Sequence, residues 1–241
     1  MGRGSSKAGG GGGKTPSGVT YDQFMKMSDD EKYDTIAGIL GNQNINVPTY
    51  LDSSDTTKVL YALGANQKTT VVSDQQLDSM QGMEIFRTVY EGASMPPPSS
   101  DAILDQIRND DFTCMSDKGG SVHGRALYFA TDYTSSASYG HYEKNAMVMR
   151  AKINSNAKIL RETNLANQMR NDTSFMGKMN GKLNNSDMKS LWALSHGIDG
   201  WYSGNYTMIV NRGALTASSQ NKTVNNSNGG YARSWSTATK A

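Results

Sequence analysis

The sequence predicts one α+β domain, and three observations lead to that class. Short apolar runs typical of strands mix irregularly with short capped helices, without the regular spacing of βαβ units. Residues 1–19 are rich in Gly, Ser and Lys, and residues 217–241 are rich in Ser, Thr, Asn and Gly. Both segments lack the apolar area to offset chain entropy, so they are predicted to be disordered tails. Residues 20–216 are numerous enough for a single core.

Helices are predicted where a capping residue precedes apolar residues at helical spacing. Ser28 and Glu31 match a capping box, and Tyr33, Ile36 and Leu40 follow on one face. The same signals predict four further short helices and one helical turn, which covers residues 74–77. The helices are capped by Asp55 or Thr56, by Ser100, by Thr134 or Ser135, and by Ser186. The helix capped by Thr134 or Ser135 is expected to end at Gly140. The polar stretch 161–185 has no clean period and predicts no element.

Strands are predicted from short apolar or alternating runs. They cover residues 71–72, 84–92, 127–131, 146–153, 157–160 and 208–210, the last being the final strand of the domain. An Asn-Ser-Asn turn joins the strand over 146–153 to the strand over 157–160.

Charge and cysteine content narrow the function classes. The net charge of +2 favours neither nucleic acid nor membrane as a partner. Cys114 is the only cysteine, and no apolar run nears the roughly 20 residues of a membrane span, so we expect a soluble, cytoplasmic protein. The three histidines lack metal-ligand spacing, and no metal is expected. His123 either lies beside a cleft or is a plain loop histidine.

Residues 124–140 carry the most informative motif. The strand Leu-Tyr-Phe-Ala breaks into a serine-rich helix start, which presents backbone N–H groups and hydroxyls suited to a polar, anionic cofactor. This segment resembles the strand-helix signature of the ADP-ribosyltransferase superfamily, in its poly(ADP-ribose) polymerase and diphtheria-toxin branch.

Two further segments match that superfamily in the right order. Residues 84–92 resemble its first strand, with an apolar pair before Arg87 and a glycine at 92. Residues 197–215 resemble its last motif, a Gly-x-Asp-Gly turn that leads into a strand. The resemblance spans roughly residues 60–216.

The resemblance implies a fold and a set of site residues. The implied fold has two small antiparallel sheets packed face to face, with an NAD cleft between them and helices outside. Arg87 would hold the pyrophosphate or ribose of NAD, which its planar fork suits. The implied cofactor-binding residues are Arg87, Tyr128, Phe129, Ser135, Ser136 and Tyr139. Each also has a plain structural interpretation, as a surface arginine, core aromatics, and cap or helix-surface serines.

The family's usual catalytic Glu is the missing part of the pattern. Asn205 or Tyr206 falls at its position, and neither carries a negative charge. The acid would come from elsewhere, with Asp199 first and Glu91 or Glu143 next, unless the enzyme is slow or the site binds without chemistry. Asp199 has its own alternative, a turn residue that bonds the local backbone.

The resemblance implies an NAD-dependent mono-ADP-ribosyltransferase, a glycosyltransferase-type enzyme that releases nicotinamide and modifies a protein. A host protein is one acceptor to consider, and a nucleic acid is a less favoured one. Such domains occur in phage and bacterial effectors. The resemblance therefore implies two further places where this protein could act, the virion and the cytoplasm of a host cell. The alternatives are a degenerate, non-catalytic module of the same fold with a binding or virion-structural role, and an unrelated α+β protein.

Overall fold

The structure, a computed structural model, describes residues 21–42, 68–91, 123–124, 126–139, 144–179, 183 and 185–223. The helices are α1 (Tyr21–Met25), α2 (Asp29–Asn42), α3 (Asp74–Ser79), α4 (Tyr133–Ser138), α5 (Glu162–Asn171), α6 (Thr173–Met179) and α7 (Asn185–Ser195). The strands are β1 (Thr70–Val72), β2 (Glu84–Glu91), β3 (Leu127–Ala130), β4 (Lys144–Ile153), β5 (Ile159–Arg161), β6 (Gly200–Ser203), β7 (Tyr206–Ile209) and β8 (Leu215–Thr223).

All of these strands belong to one mixed sheet in the order β1-β8-β4-β2-β3-β7-β6-β5. The outer pairs β1–β8 and β5–β6 are parallel, and the inner pairs are antiparallel. The mixed helix and strand content expected of the domain is confirmed. The expectation of two separate antiparallel sheets is corrected, because a β2–β3 pairing joins the strands into one sheet.

The junction between β2 and β3 is narrow. Among the described residues, only Phe86 and Ala130 pair across it. By contrast, β2 pairs with β4 from Glu84 to Glu91 along its length. The sheet therefore consists of a β2 half (β1, β8, β4, β2) and a β3 half (β3, β7, β6, β5), and main-chain pairing nearly stops between them.

The core lies on both faces of this sheet. One cluster joins α1, α2 and α6 to the strands, and Phe24, Tyr33 and Phe175 are fully buried in it. A smaller cluster packs α4 against β2 and β4; it consists of Phe86, Tyr133, Ala137, Ala146 and Val148. Burial of this apolar area is the main driving force for docking the helices.

Several local predictions are confirmed. Ser28 accepts the Glu31 N–H, and the Glu31 carboxylate accepts the Ser28 N–H at 2.8 Å, so the capping box begins α2 as expected. The predicted turn over 74–77 is α3, capped by Ser73. The predicted helices capped by Asp55 or Thr56 and by Ser100 lie outside the described residues.

The cap of α4 differs from the prediction. Asp132, and not Thr134 or Ser135, is the N-cap, since its carboxylate accepts the Ser135 N–H at 2.8 Å. A carboxylate one turn ahead of the serines competes well for that orphan donor. The helix therefore begins at Tyr133 and buries that ring against Phe86.

The polar stretch without a clean period contains α5 and α6. In α5, Leu165, Ala166 and Met169 are buried and the rest of the surface is polar, so the apolar stripe is narrow. The Asn-Ser-Asn turn joins β4 to β5, but these strands do not pair. They lie in different halves, β5 at the far edge beside β6.

The predicted last strand and the predicted C-terminal boundary of the domain both lie too early in the chain. β7 covers most of the strand predicted at 208–210, but β8 follows it and runs to Thr223 between β1 and β4. Ala217 and Ser218 are fully buried, and the Ser218 hydroxyl bonds to Asp74. Burial of one face overrides the polar composition there. Within the described ranges, no helix combines the length and apolarity needed to cross a bilayer.

Candidate functional site

Arg87 and Tyr128 meet at the junction of the two halves. Arg87 follows Phe86, the residue of β2 that pairs with β3. Its Nη1 donates to the Tyr128 carbonyl at 2.9 Å, across the place where main-chain pairing stops. Two residues 41 positions apart, both predicted as site residues, are thus brought into contact.

The phenol of Tyr128 is anchored to the segment that precedes β3. Its hydroxyl donates to the Gly124 carbonyl at 2.6 Å. Burial raises the pKa of Tyr128 to about 12; a backbone hydrogen bond from His123 opposes this shift, and the charge of Glu162 adds to it. The phenol therefore stays neutral at physiological pH, as a polar ring beside the junction.

Gly124 has no room for a side chain. Its φ is +113°, and an added Cβ would lie 2.7 Å from Cζ2 of Trp201. The Trp201 indole N–H donates to the His123 carbonyl at 2.7 Å. These contacts hold the backbone at 123–124 against Tyr128 and thereby fix the point from which the His123 side chain extends.

The predicted serines of α4 have different environments. Ser136 is buried, and its hydroxyl lies 3.0 Å from that of Thr88 on β2. Ser135 is partly exposed in the first turn of α4. Ser136 thus joins α4 to the β2 half, and of the two only Ser135 remains accessible to a ligand.

Phe129 does not belong to a ligand surface. Its side chain is 1% exposed and packs in the main core with Leu127 and Ile209. Alternation along β3 turns Phe129 to the opposite face from Tyr128. The expectation that Phe129 contacts a cofactor is therefore corrected.

Three aromatic side chains form what we call the aromatic row: Tyr139, Tyr206 and His123. The hydroxyls of Tyr139 and Tyr206 are 2.6 Å apart. The Tyr206 and His123 rings are near-parallel, at 27°, with centroids 6.1 Å apart. Tyr139 is 55% exposed, so its end of the row is open to solvent.

A carboxylate that sequence reasoning missed lies at the other end of the row. Glu162, the first residue of α5, has Oε2 2.7 Å from His123 Nδ1 and accepts from Lys189 Nζ at Oε1, 2.6 Å away. Burial alone raises the pKa of the Glu162 carboxyl, but hydrogen bonds from Lys189, His123 and Ser203 outweigh it and hold the pKa below its usual value. Glu162 is therefore ionised at neutral pH.

Asn205 and Asp199 lie at opposite ends of β6. Asn205, in the turn between β6 and β7, has an exposed side chain, and its carbonyl accepts from the Thr131 N–H at 3.0 Å, near the start of α4. Asp199 accepts from the Lys158 N–H at 2.8 Å and from Asn211 Nδ2 at 2.7 Å. These contacts favour the turn interpretation of Asp199, and its role as the acid stays a prediction.

The structure does not describe the side chains of the other two candidates for the catalytic acid, Glu91 and Glu143. Glu91 ends β2, but its side chain is not among the described ones, and Glu143 lies outside the described ranges. In the parts of the chain that are described, no group of three His, Cys, Asp or Glu side chains is arranged to hold a metal ion. No family model, curated protein or solved structure matches the chain.

Proposed function

We propose that this chain is an NAD-dependent mono-ADP-ribosyltransferase that modifies a protein. The observation that supports this best is the contact of Arg87 with Tyr128 at the junction of the sheet halves. Both residues belong to motifs that resemble the superfamily, and their meeting does not follow from either motif alone. We place the proposed NAD site along this junction, which corresponds to the cleft that the resemblance implies between two sheets.

The reaction sets the demands on the site. The bond between nicotinamide and its ribose breaks, and the ribose carbon acquires positive charge in the transition state. The protein has to hold the pyrophosphate and nicotinamide while the acceptor approaches. An arginine fork suits the phosphate or ribose oxygens, and exposed tyrosine faces suit the nicotinamide ring.

The described side chains provide groups for both tasks. Arg87 is partly buried, which limits competition from water for its charge. Tyr128 is neutral and held at both its carbonyl and its hydroxyl. Ser135 and the exposed Tyr139 complete the proposed NAD-binding set, with Tyr139 presenting an accessible ring.

The second candidate is a non-catalytic module of the same fold. It is favoured by the neutral Asn205 and by hydroxyls that already bond within the chain, namely Ser136 with Thr88 and Tyr139 with Tyr206. Such a module would bind NAD or a related nucleotide without releasing nicotinamide, in a binding or virion-structural role.

One experiment separates these candidates. The purified chain is incubated with labelled NAD and bacterial lysate, and labelled protein and free nicotinamide are measured, with calorimetry for binding. Arg87→Lys is expected to weaken NAD use about 10- to 100-fold, since lysine keeps the charge but loses the fork. The matched control is Arg170→Lys, at an exposed position of α5.

Each outcome has a clear meaning. Nicotinamide release with labelled protein, reduced in Arg87→Lys only, supports the transferase. Binding without release supports the module. The absence of binding at millimolar NAD contradicts both proposals, and an Arg87→Lys variant that merely melts earlier contradicts the role of Arg87.

A further inference from the structure

We propose that His123, held by Glu162, is the general base that removes the proton of an acceptor hydroxyl. This inference rests on the proposed transferase function and specifies its acceptor chemistry. It starts from the position of the imidazole at the end of the aromatic row, close to the residue that anchors the Tyr128 phenol. None of the sequence motifs contains the His123–Glu162 pair, because its members are 39 positions apart.

The contacts define the orientation of the imidazole. Nδ1 lies 2.7 Å from an ionised carboxylate oxygen of Glu162, so Nδ1 carries the proton and donates it. Within the described part of the chain no group bonds Nε2. The side chain is 31% exposed, so Nε2 is left as the accepting nitrogen for a bound molecule.

The surroundings keep the pair in this state. Lys189 binds the other oxygen of Glu162, and Ser203 bonds to the same carboxylate. The near-parallel ring of Tyr206 lies beside the imidazole, with centroids 6.1 Å apart. Glu162 is therefore a positioning residue, while His123 is the group that would contact the acceptor.

The step balances with no added reagent. The acceptor oxygen forms a bond to the ribose carbon that carried nicotinamide, and its proton passes to Nε2 of His123. The carbon–nitrogen bond to nicotinamide breaks, and its electron pair leaves with the nicotinamide. The imidazolium is stabilised by Glu162 and then releases its proton to water.

The pair also selects among acceptors. A serine or threonine hydroxyl needs a base as its oxygen attacks, so an imidazole is useful to it. A carboxylate acceptor is already ionised and needs none, and a guanidinium is too weak an acid for an imidazole to deprotonate. The proposed acceptor is therefore a protein hydroxyl.

Water, azide and three peptides test this proposal. Nicotinamide release is measured with water alone and with sodium azide, an anion that needs no base. ADP-ribose transfer is measured to peptides that carry a single Ser, Arg or Glu. The variants are His123→Ala, His123→Asn, whose amide can still donate to Glu162, and Glu162→Gln, with His196→Ala as the matched loss of an imidazole elsewhere.

In the parent, the Ser peptide is expected to be modified in preference to the others. Both His123 variants are expected to lose about 100-fold in serine transfer, the lower part of the range for general-base catalysis, and azide is expected to restore nicotinamide release. Glu162→Gln is expected to lose about 10-fold with the same rescue, and His196→Ala to change neither reaction per folded molecule.

Other results overturn the proposal. An active parent whose His123 variants are unchanged, or whose loss is equal with azide, contradicts the base. Preference for the Arg or Glu peptide contradicts the hydroxyl acceptor. A parent that releases no nicotinamide with either nucleophile contradicts the transferase function itself, and so is distinguishable from failure of the base alone.

Discussion

Two histidine–carboxylate pairs in this molecule show how the surroundings decide what such a pair does. The His123–Glu162 pair stands beside β3, and His123 keeps one nitrogen unbonded within the described chain. The second pair, His196 with Asp172, lies where α2 docks on α6 and α7. There His196 Nε2 is 3.2 Å from the Tyr33 hydroxyl, and Nδ1 is 2.8 Å from the Trp192 carbonyl.

The oxygens of Asp172, like the ring nitrogens of His196, all have hydrogen-bond partners within the chain. It accepts from the Trp192 indole N–H at 3.0 Å, from the Phe175 N–H at 2.9 Å and from the Tyr33 hydroxyl. The His196 ring also stacks on Trp192, with centroids 4.0 Å apart. A pair whose polar atoms are all used within the chain stabilises the fold, whereas a pair with a spare acceptor is available to a ligand.

Among the stability changes that we predict, the largest is at Asp172. Asp172→Asn places an amide NH₂ against one of its donors, so we expect the free energy of unfolding to fall by about 2–3 kcal/mol. Urea unfolding measures the loss, with Asp22→Asn, an exposed position of α1, as the control. A loss no larger than that of the control would break the contrast between the two pairs.

A third carboxylate sharpens the contrast. Asp199 resembles Asp172, since both of its oxygens accept bonds from the chain, and Asp199→Asn is expected to cost about 1–2 kcal/mol of stability. If Asp199 is only a turn residue, NAD cleavage per folded molecule stays unchanged in this variant. Normal stability together with lost cleavage would instead identify Asp199 as the acid.

Asn205→Glu is the companion change. The side chain is exposed in the turn beside α4, so stability should change by less than about 0.5 kcal/mol. A gain in nicotinamide release is expected if the native site lacks a negative charge near the ribose. Unchanged release from an active parent would contradict the alignment of this turn with the family motif.

Glu162→Gln should cost less stability than Asp172→Asn, about 1 kcal/mol. Lys189 and His123 are partly exposed and regain water contacts, whereas Tyr33 is fully buried. Parallel urea curves of the two variants make the comparison. A larger loss for Glu162→Gln would make Glu162 a structural residue first.

The smallest predicted effect is the change in stability of the Asp172→Asn variant as the pH is lowered. At Asp172 burial raises the carboxyl pKa, but hydrogen bonds from Phe175, Tyr33 and Trp192 outweigh it, and the pKa is lowered. A lowered folded pKa adds stability above the unfolded pKa of about 4, and that stability is lost as the pH falls through the folded value. Asp172→Asn should therefore lose less stability than the parent between neutral pH and about pH 3. Equal slopes would contradict the shift.

Local signals in the sequence were enough for those elements that are set by neighbours along the chain. Ser28 with Glu31, and the apolar alternation around Tyr128, predicted α2 and β3 because caps and strand alternation act within a few residues. Motif resemblance predicts Arg87 and Tyr128 as site residues. The structure brings the two into contact, and their role in binding NAD stays a prediction.

The parts that sequence reasoning missed depend on distant partners. The helix α5 has only a narrow apolar stripe, which gives a weak helical signal in the sequence. Glu162 is a candidate site residue only because it bonds to His123, and these residues are 39 positions apart, beyond any local spacing rule. Ser136 and Phe129 have the composition of a binding motif, but burial against β2 and in the core decides their roles. Such long-range packing leaves no local trace.

The position of β8 bears on how the protein tolerates shortening. The residues after 216 resemble a polar tail by composition, but they supply the strand that β1 and β4 both pair with. A chain cut there would leave an exposed edge on β4, with unpaired N–H and C=O groups along it. Such an edge is a template for intermolecular strand pairing, so the expected outcome of trimming this segment is aggregation.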